Sequence, residues 1–122
     1  MLALNISQHE PTELQVLSGL MELNKSDVTS MKKLLTFDEA PDISEMKNRA
    51  EQLVKICANN YNLKVVMLAP APFFTSILEN TFKENGYKVV YSFSQRKSVE
   101  KKMPDGTVKK VNVFEFQDFI EV

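Results

Sequence analysis

The sequence predicts one α/β domain over residues 1–122, a mainly parallel sheet flanked by helices with an antiparallel hairpin added at the C-terminus. Three observations predict it. Lys64-Val65-Val66-Met67-Leu68 is an apolar run without alternation, the pattern of a central strand covered on both faces. A helical repeat over Phe73–Asn85 joins it to Tyr87-Lys88-Val89-Val90-Tyr91, which makes a β-α-β crossover of parallel strands. Pro104-Asp105-Gly106 separates two strand-like runs, and Asp-Gly in that position is a hairpin signal.

The remaining elements follow in order. Leu2-Ala3-Leu4-Asn5-Ile6 reads as a first strand, and Ser7-Gln8-His9-Glu10-Pro11 as the loop that leaves it. Thr12 caps a short helix over Glu13–Ser18, which Gly19 breaks; Leu20-Met21-Glu22-Leu23 is a short second strand. A helix covers Ser26–Leu35. After the connection Thr36–Pro41, Asp42 caps the clearest helix, with Glu45 at the capping-box spacing. Its core stripe is Ile43, Met46, Ala50, Leu53, Val54 and Cys57. In the helix from Phe73, Phe74, Ile77, Leu78 and Phe82 face inward, and Gly86 stands where a left-handed C-terminal cap needs glycine. The second hairpin arm, Thr107–Phe116, alternates, with Val111, Val113 and Phe116 inward. The sum is a small Rossmann-like sheet with an appended hairpin.

Composition narrows the function classes. Fifteen Lys+Arg against sixteen Asp+Glu leave no global basic field to favour long duplex nucleic acid, while a local cluster can still hold a compact anion. The single cysteine, Cys57, excludes an intrachain disulfide and points to a reducing compartment; on the core stripe it reads as packing rather than as a reactive thiol. No apolar run approaches the ~20 residues of a membrane span, and no signal-peptide pattern opens the chain. The expected location is cytoplasmic. Neither a zinc-type Cys/His cluster nor a Gly-rich phosphate loop is present, so no metal and no cofactor are expected.

Open α/β sheets bind ligands beyond the carboxyl ends of their parallel strands. Three exit segments meet that condition: Ser7-Gln8-His9 after the first strand, Ala69-Pro70-Ala71-Pro72-Phe73 after the third, and Ser92-Phe93-Ser94-Gln95-Arg96-Lys97 after the fourth. The expectation is that they converge at one rim. His9, the only histidine, carries an imidazole suited to general acid–base work; its alternative is a loop histidine that caps the helix beginning near Thr12. Arg96 offers phosphate a planar fork and Lys97 a point charge, with Ser92 and Ser94 as hydroxyl donors; the alternative is a solvated strand end. Lys101, Lys102, Lys109 and Lys110 face one another across the hairpin, either as guards of a sheet edge or as a basic flap over an anion.

Two segments, Ser7-Gln8-His9-Glu10 and the run from Tyr91 through Arg96 and Val99-Glu100 to Phe119, resemble the small CRISPR-associated, CARF-like ring nucleases of type III systems, in particular their short single-domain Csx-type members. The resemblance covers about two-thirds of the chain. The chain departs from it at Ala69-Pro70-Ala71-Pro72, where those proteins tend to carry a glycine, and at Phe93-Ser94-Gln95, where they are threonine-rich; the segment Leu34–Pro41 is not part of that pattern and suggests a sister group.

The resemblance implies a metal-independent phosphodiesterase that opens a cyclic oligoadenylate in antiviral signalling. His9 would act on the ribose 2′-hydroxyl, and Ser94, Arg96 and Lys97 would act on the phosphate. Ser7, Gln8, Ala71, Pro72, Phe73, Ser92 and Gln95 would bind the ligand. A two-fold symmetric ring suits a homodimer. The alternatives are a non-catalytic cyclic-nucleotide-binding module and a small interaction protein.

Overall fold

In the computed structural model, which describes residues 1–122, hydrogen bonding from β1 (Ala3–Ile6) outward organises the chain. The order continues with α1 (Glu13–Leu17), β2 (Leu20–Met21), α2 (Lys25–Leu35), α3 (Ile43–Asn60), β3 (Val65–Leu68), α4 (Pro72–Glu84), β4 (Lys88–Lys102) and β5 (Val108–Glu121). The five strands form one sheet in the order β2-β1-β3-β4-β5. The first four run parallel, with Leu4 beside Val66 and Val66 beside Val89; β5 runs antiparallel to β4. The chain therefore steps one way from β1 to β2 and the other way to β3. The seam between β1 and β3 is where the winding reverses.

Local sequence explains the helix ends. Thr12 and Gln15 form a reciprocal capping box at α1, and the Asp42 side chain accepts from Glu45 N at α3. Asn24 caps α2 by accepting from Asp27 N, so this helix begins one residue before the Ser26 start expected. Arg49, on α3, closes the other end of α2: its Nη1 donates to the Lys33 and Leu34 carbonyls at 3.3 Å and to that of Thr36, and its guanidinium lies 4.3 Å from the Phe37 ring centre. Gly19, at φ +109°, links α1 to β2; a Cβ there would meet the Met1 carbonyl oxygen at 2.1 Å.

The core is one-sided. Leu4, Ile6, Val66, Leu68 and Val89 project from one sheet face into α2, α3 and α4, where Phe74, Leu78 and Phe82 are fully buried. Each such large side chain contributes about 1.5–3 kcal/mol of burial. On the opposite face Ala3, Leu20, Met67 and Val90 form a small cluster with Val65 and Phe119. Only α1 is added on that side, and it buries none of its residues.

Several expectations change. Ile43 is 61% exposed, because it opens α3 ahead of the turn that first reaches the core; Met46, Ala50, Leu53, Val54 and Cys57 are buried as the stripe predicts. The second strand shrinks to Leu20–Met21, since its only pairing is with Ala3 and Leu4. Val113 is exposed and Val111 half-buried, while Phe116 is buried. The largest correction concerns Ser92, Ser94, Gln95, Arg96 and Lys97. They form no exit loop. They continue β4 in register with β5, and the hairpin arms are simply the outer halves of these two long strands.

Within this ribbon Phe93 pairs with Asp118 and Ser94 with Phe116, which leaves Gln117 without a partner as a β-bulge. No helix of the chain is long and apolar enough to cross a membrane.

Candidate functional site

A cavity of about 240 Å³ opens at the carboxyl ends of β1 and β3, on the sheet face that carries α1. Met67 and Ala69 give it an apolar floor. Its walls come from the loop after β1, from α1 and from β4.

Asn5 and Ser7 frame the wall from β1. Both are almost fully buried, at 1% and 2% exposure. Ser7 Oγ donates to Asn5 Oδ1 at 2.6 Å. The Asn5 amide donates to the His9 carbonyl at 3.1 Å and to Glu22 Oε1 at 2.6 Å. One buried carboxamide thus fixes the turn that presents His9 and ties it to the residue after β2. Every buried side-chain polar atom has a partner. His9 and Glu10 are themselves exposed and line the mouth.

The opposite wall is Gln15 and Ser92, joined by a hydrogen bond from Gln15 Nε2 to Ser92 Oγ at 2.9 Å. With Thr12 they line the cavity with hydroxyl and amide groups. A carboxylate, Glu10, is present, and no lysine or arginine lines the wall. This chemistry suits sugar hydroxyls and a base edge better than a phosphate.

Side chains alternate along β4, so Ser92, Ser94 and Arg96 share the cavity's face, whereas Gln95 and Lys97 take the other. Arg96 stands four residues beyond Ser92, roughly 13 Å along the strand. Its guanidinium lies 5.5 Å from the ring centre of Phe114, its cross-strand partner, which is 70% exposed. Phe116 follows on the same face, packed on Phe119 at 4.8 Å. An aromatic and cationic strip thus leads away from the cavity.

Other expected site residues are placed elsewhere. Lys97 Nζ pairs with Glu115 Oε1 at 3.1 Å on the ribbon face turned away from the cavity. Gln8 turns to α2, its Nε2 donating to Thr36 Oγ1 at 2.7 Å. Ala71 and Pro72 begin α4, and Phe73 stands edge-on to Phe37 at 5.2 Å; none of these three lines the cavity. The structure therefore brings Ser7, His9 and Ser92 together at the cavity and sets Ser94 and Arg96 on the adjoining strip. Tyr91 donates to Glu79 Oε1 at 2.9 Å beneath α4; burial, then the Glu79 carboxylate, pushes its hydroxyl well above the ordinary value.

Asn5, Glu10, Thr12 and Gln15 were not expected to line a site. Two signals mark them in the sequence: a lone amide inside an otherwise apolar strand, and the Thr12-x-x-Gln15 capping spacing.

The model of the Uncharacterized protein MJ1673 family matches residues 1–120. No curated protein matches the chain, and no solved structure does.

Proposed function

The chain belongs to the uncharacterized protein MJ1673 family, and from that footing we propose that it is a CARF-like, Rossmann-like module that binds a cyclic oligoadenylate. The observation that carries the reading is the position of the cavity. It opens at the carboxyl ends of β1 and β3, where the winding reverses and where open α/β sheets take their ligands.

The cavity is smaller than the ~300–1,000 Å³ that encloses a drug-sized ligand. It would take part of a larger molecule: one ribose with its base edge, held by His9, Glu10, Ser92 and the frame of Asn5 and Ser7. The next phosphate and base would extend along β4, to Arg96 as the anion partner and to Phe114 as a stacking surface. A ring with two-fold symmetry would engage two copies of the chain, their rims facing one another.

Ring cleavage is the second reading, favoured by His9 at the cavity mouth. His9 would take the proton from a ribose 2′-hydroxyl. The 2′-oxygen would then attack the adjacent phosphorus while the 5′-oxygen leaves and is protonated, giving a linear product with a 2′,3′-cyclic phosphate. Ser94 and Arg96 would steady the developing charge.

The test is calorimetry with cyclic tetra-adenylate in EDTA, followed by chromatography of the recovered ligand. Saturable heat with an intact ring supports the binding module, and a linear product supports the nuclease. Neither heat nor product overturns both and leaves an interaction protein.

A further inference from the structure

Beyond Ser92 the β4–β5 ribbon leaves the body of the domain, and from Ser94 to Lys102 every residue of β4 is exposed. An isolated two-stranded ribbon is marginally stable in water, so this one has chemistry to account for. Residues 94–116, the paired ribbon beyond the bulge, hold six basic side chains (Arg96, Lys97, Lys101, Lys102, Lys109, Lys110) against three acidic ones, Glu100, Asp105 and Glu115, a net charge of +3, with Lys97 paired to Glu115. The whole chain is −1, so everything outside this segment sums to −4. The fold gathers the positive charge onto its one projecting arm.

The pairing of these charges is the sharper observation. Lys101 lies directly opposite Lys109 in the register, and like charges placed so destabilise a ribbon. Guarding a sheet edge calls for charge, but not for like charges in direct opposition. An anion between them removes the penalty. The ligand of the cavity is not that anion, because Lys101 is nine residues beyond Ser92, roughly 30 Å along the strand.

We propose that the ribbon is a nucleic-acid-binding arm that lies in the major groove of duplex DNA. Two strands ~4.8 Å apart with their side chains match the ~12 Å groove that accepts a two-stranded ribbon. In such a groove phosphates flank both edges of the ribbon. Lys101 and Lys109 on one face and, on the other, Lys102, opposite Val108, and Lys110, opposite Glu100, reach them, and the tip turn at Asp105-Gly106 leads. The arm acts independently of whatever occupies the cavity.

The test uses the full chain and a short fluorescent DNA duplex, titrated by anisotropy between roughly 50 and 200 mM salt with no cyclic oligonucleotide present. Four engaged lysines give a log–log salt slope of about −3.6, hence a loss of roughly a hundred-fold in affinity over that range. Lys101→Glu turns the like-charge pair into an opposite-charge pair, so it should keep or raise the denaturation midpoint while weakening DNA at least several-fold. Lys102→Gln with Lys110→Gln should lower the slope by about 1.8. Absence of duplex binding at low salt overturns the proposal. So does unchanged binding by folded variants, or capture by phosphatidylserine vesicles while DNA stays free.

Discussion

Gln15 and Ser92 are 77 positions apart in sequence and 2.9 Å apart in space, the amide of one donating to the hydroxyl of the other. The same side chain accepts from Thr12 N at 2.9 Å, so it both caps α1 and fastens that five-residue helix to β4. Gln15→Ala should cost about 0.5–1.5 kcal/mol, the range for a lost hydrogen bond, and release the wall of the cavity. Urea denaturation with native-state hydrogen exchange at α1 checks this. An unchanged midpoint with unchanged exchange would mean that α1 is held by something else.

Leu68 is buried at the centre of the sheet, among the side chains of the main core. Leu68→Ala should destabilise by about 2–5 kcal/mol, from lost burial and the cavity left behind. The measurement is the guanidinium midpoint at constant slope; a wild-type midpoint would contradict the burial.

Arg96→Ala should leave the fold intact, since the side chain lies on an exposed ribbon over Phe114. It should weaken an anionic nucleotide by about 1.5–3 kcal/mol, the range for a charge-assisted hydrogen bond. Arg96→Lys should recover part of the loss, because lysine keeps the charge without the fork. Equal affinities for all three folded proteins would remove Arg96 from the site.

Burial pushes the Cys57 thiol from 9.0 up to about 12, with Asp27 adding to the rise. The folded state thus prefers the neutral thiol, and the unfolded chain ionises first as pH rises. The stabilisation is fully present below pH 9 and is lost between about pH 9 and 12. Within that window the wild type should lose up to about 1.4 kcal/mol per pH unit more than Cys57→Ala. Denaturation midpoints of both proteins across this range provide the measurement; parallel curves would place the thiol in contact with water.

The sequence was legible where burial imposes a period. The stripe Met46–Cys57 and the β3 run follow from patterns that the core requires, and the Gly86 cap from the positive φ that ends α4. The outer half of β4 was not legible for the converse reason. Its residues are exposed on both faces, so no apolar alternation marks them, and only backbone pairing with β5 makes them a strand. That same continuation carries Ser94 and Arg96 out along the ribbon, turns Lys97 away, and explains why the expected rim is only partly assembled. At the cavity His9 and Ser92 could be read from strand ends. Asn5, whose importance lies in a buried three-way hydrogen-bond junction, could not be placed without knowing that Glu22 lies beside it.

The bulge at Gln117 also determines which changes of chain length this ribbon tolerates. Pairing is regular on either side of it, so the loss of one residue there restores an unbroken ladder and leaves Phe114, Phe116 and Phe119 on their present side. A one-residue deletion within Val111–Glu115 instead turns over part of β5, exchanging its aromatic and polar sides relative to β4. Among descendants of this sequence, length variation inside β5 is therefore expected at position 117, and the tip turn is free to vary without moving Phe114 off Arg96.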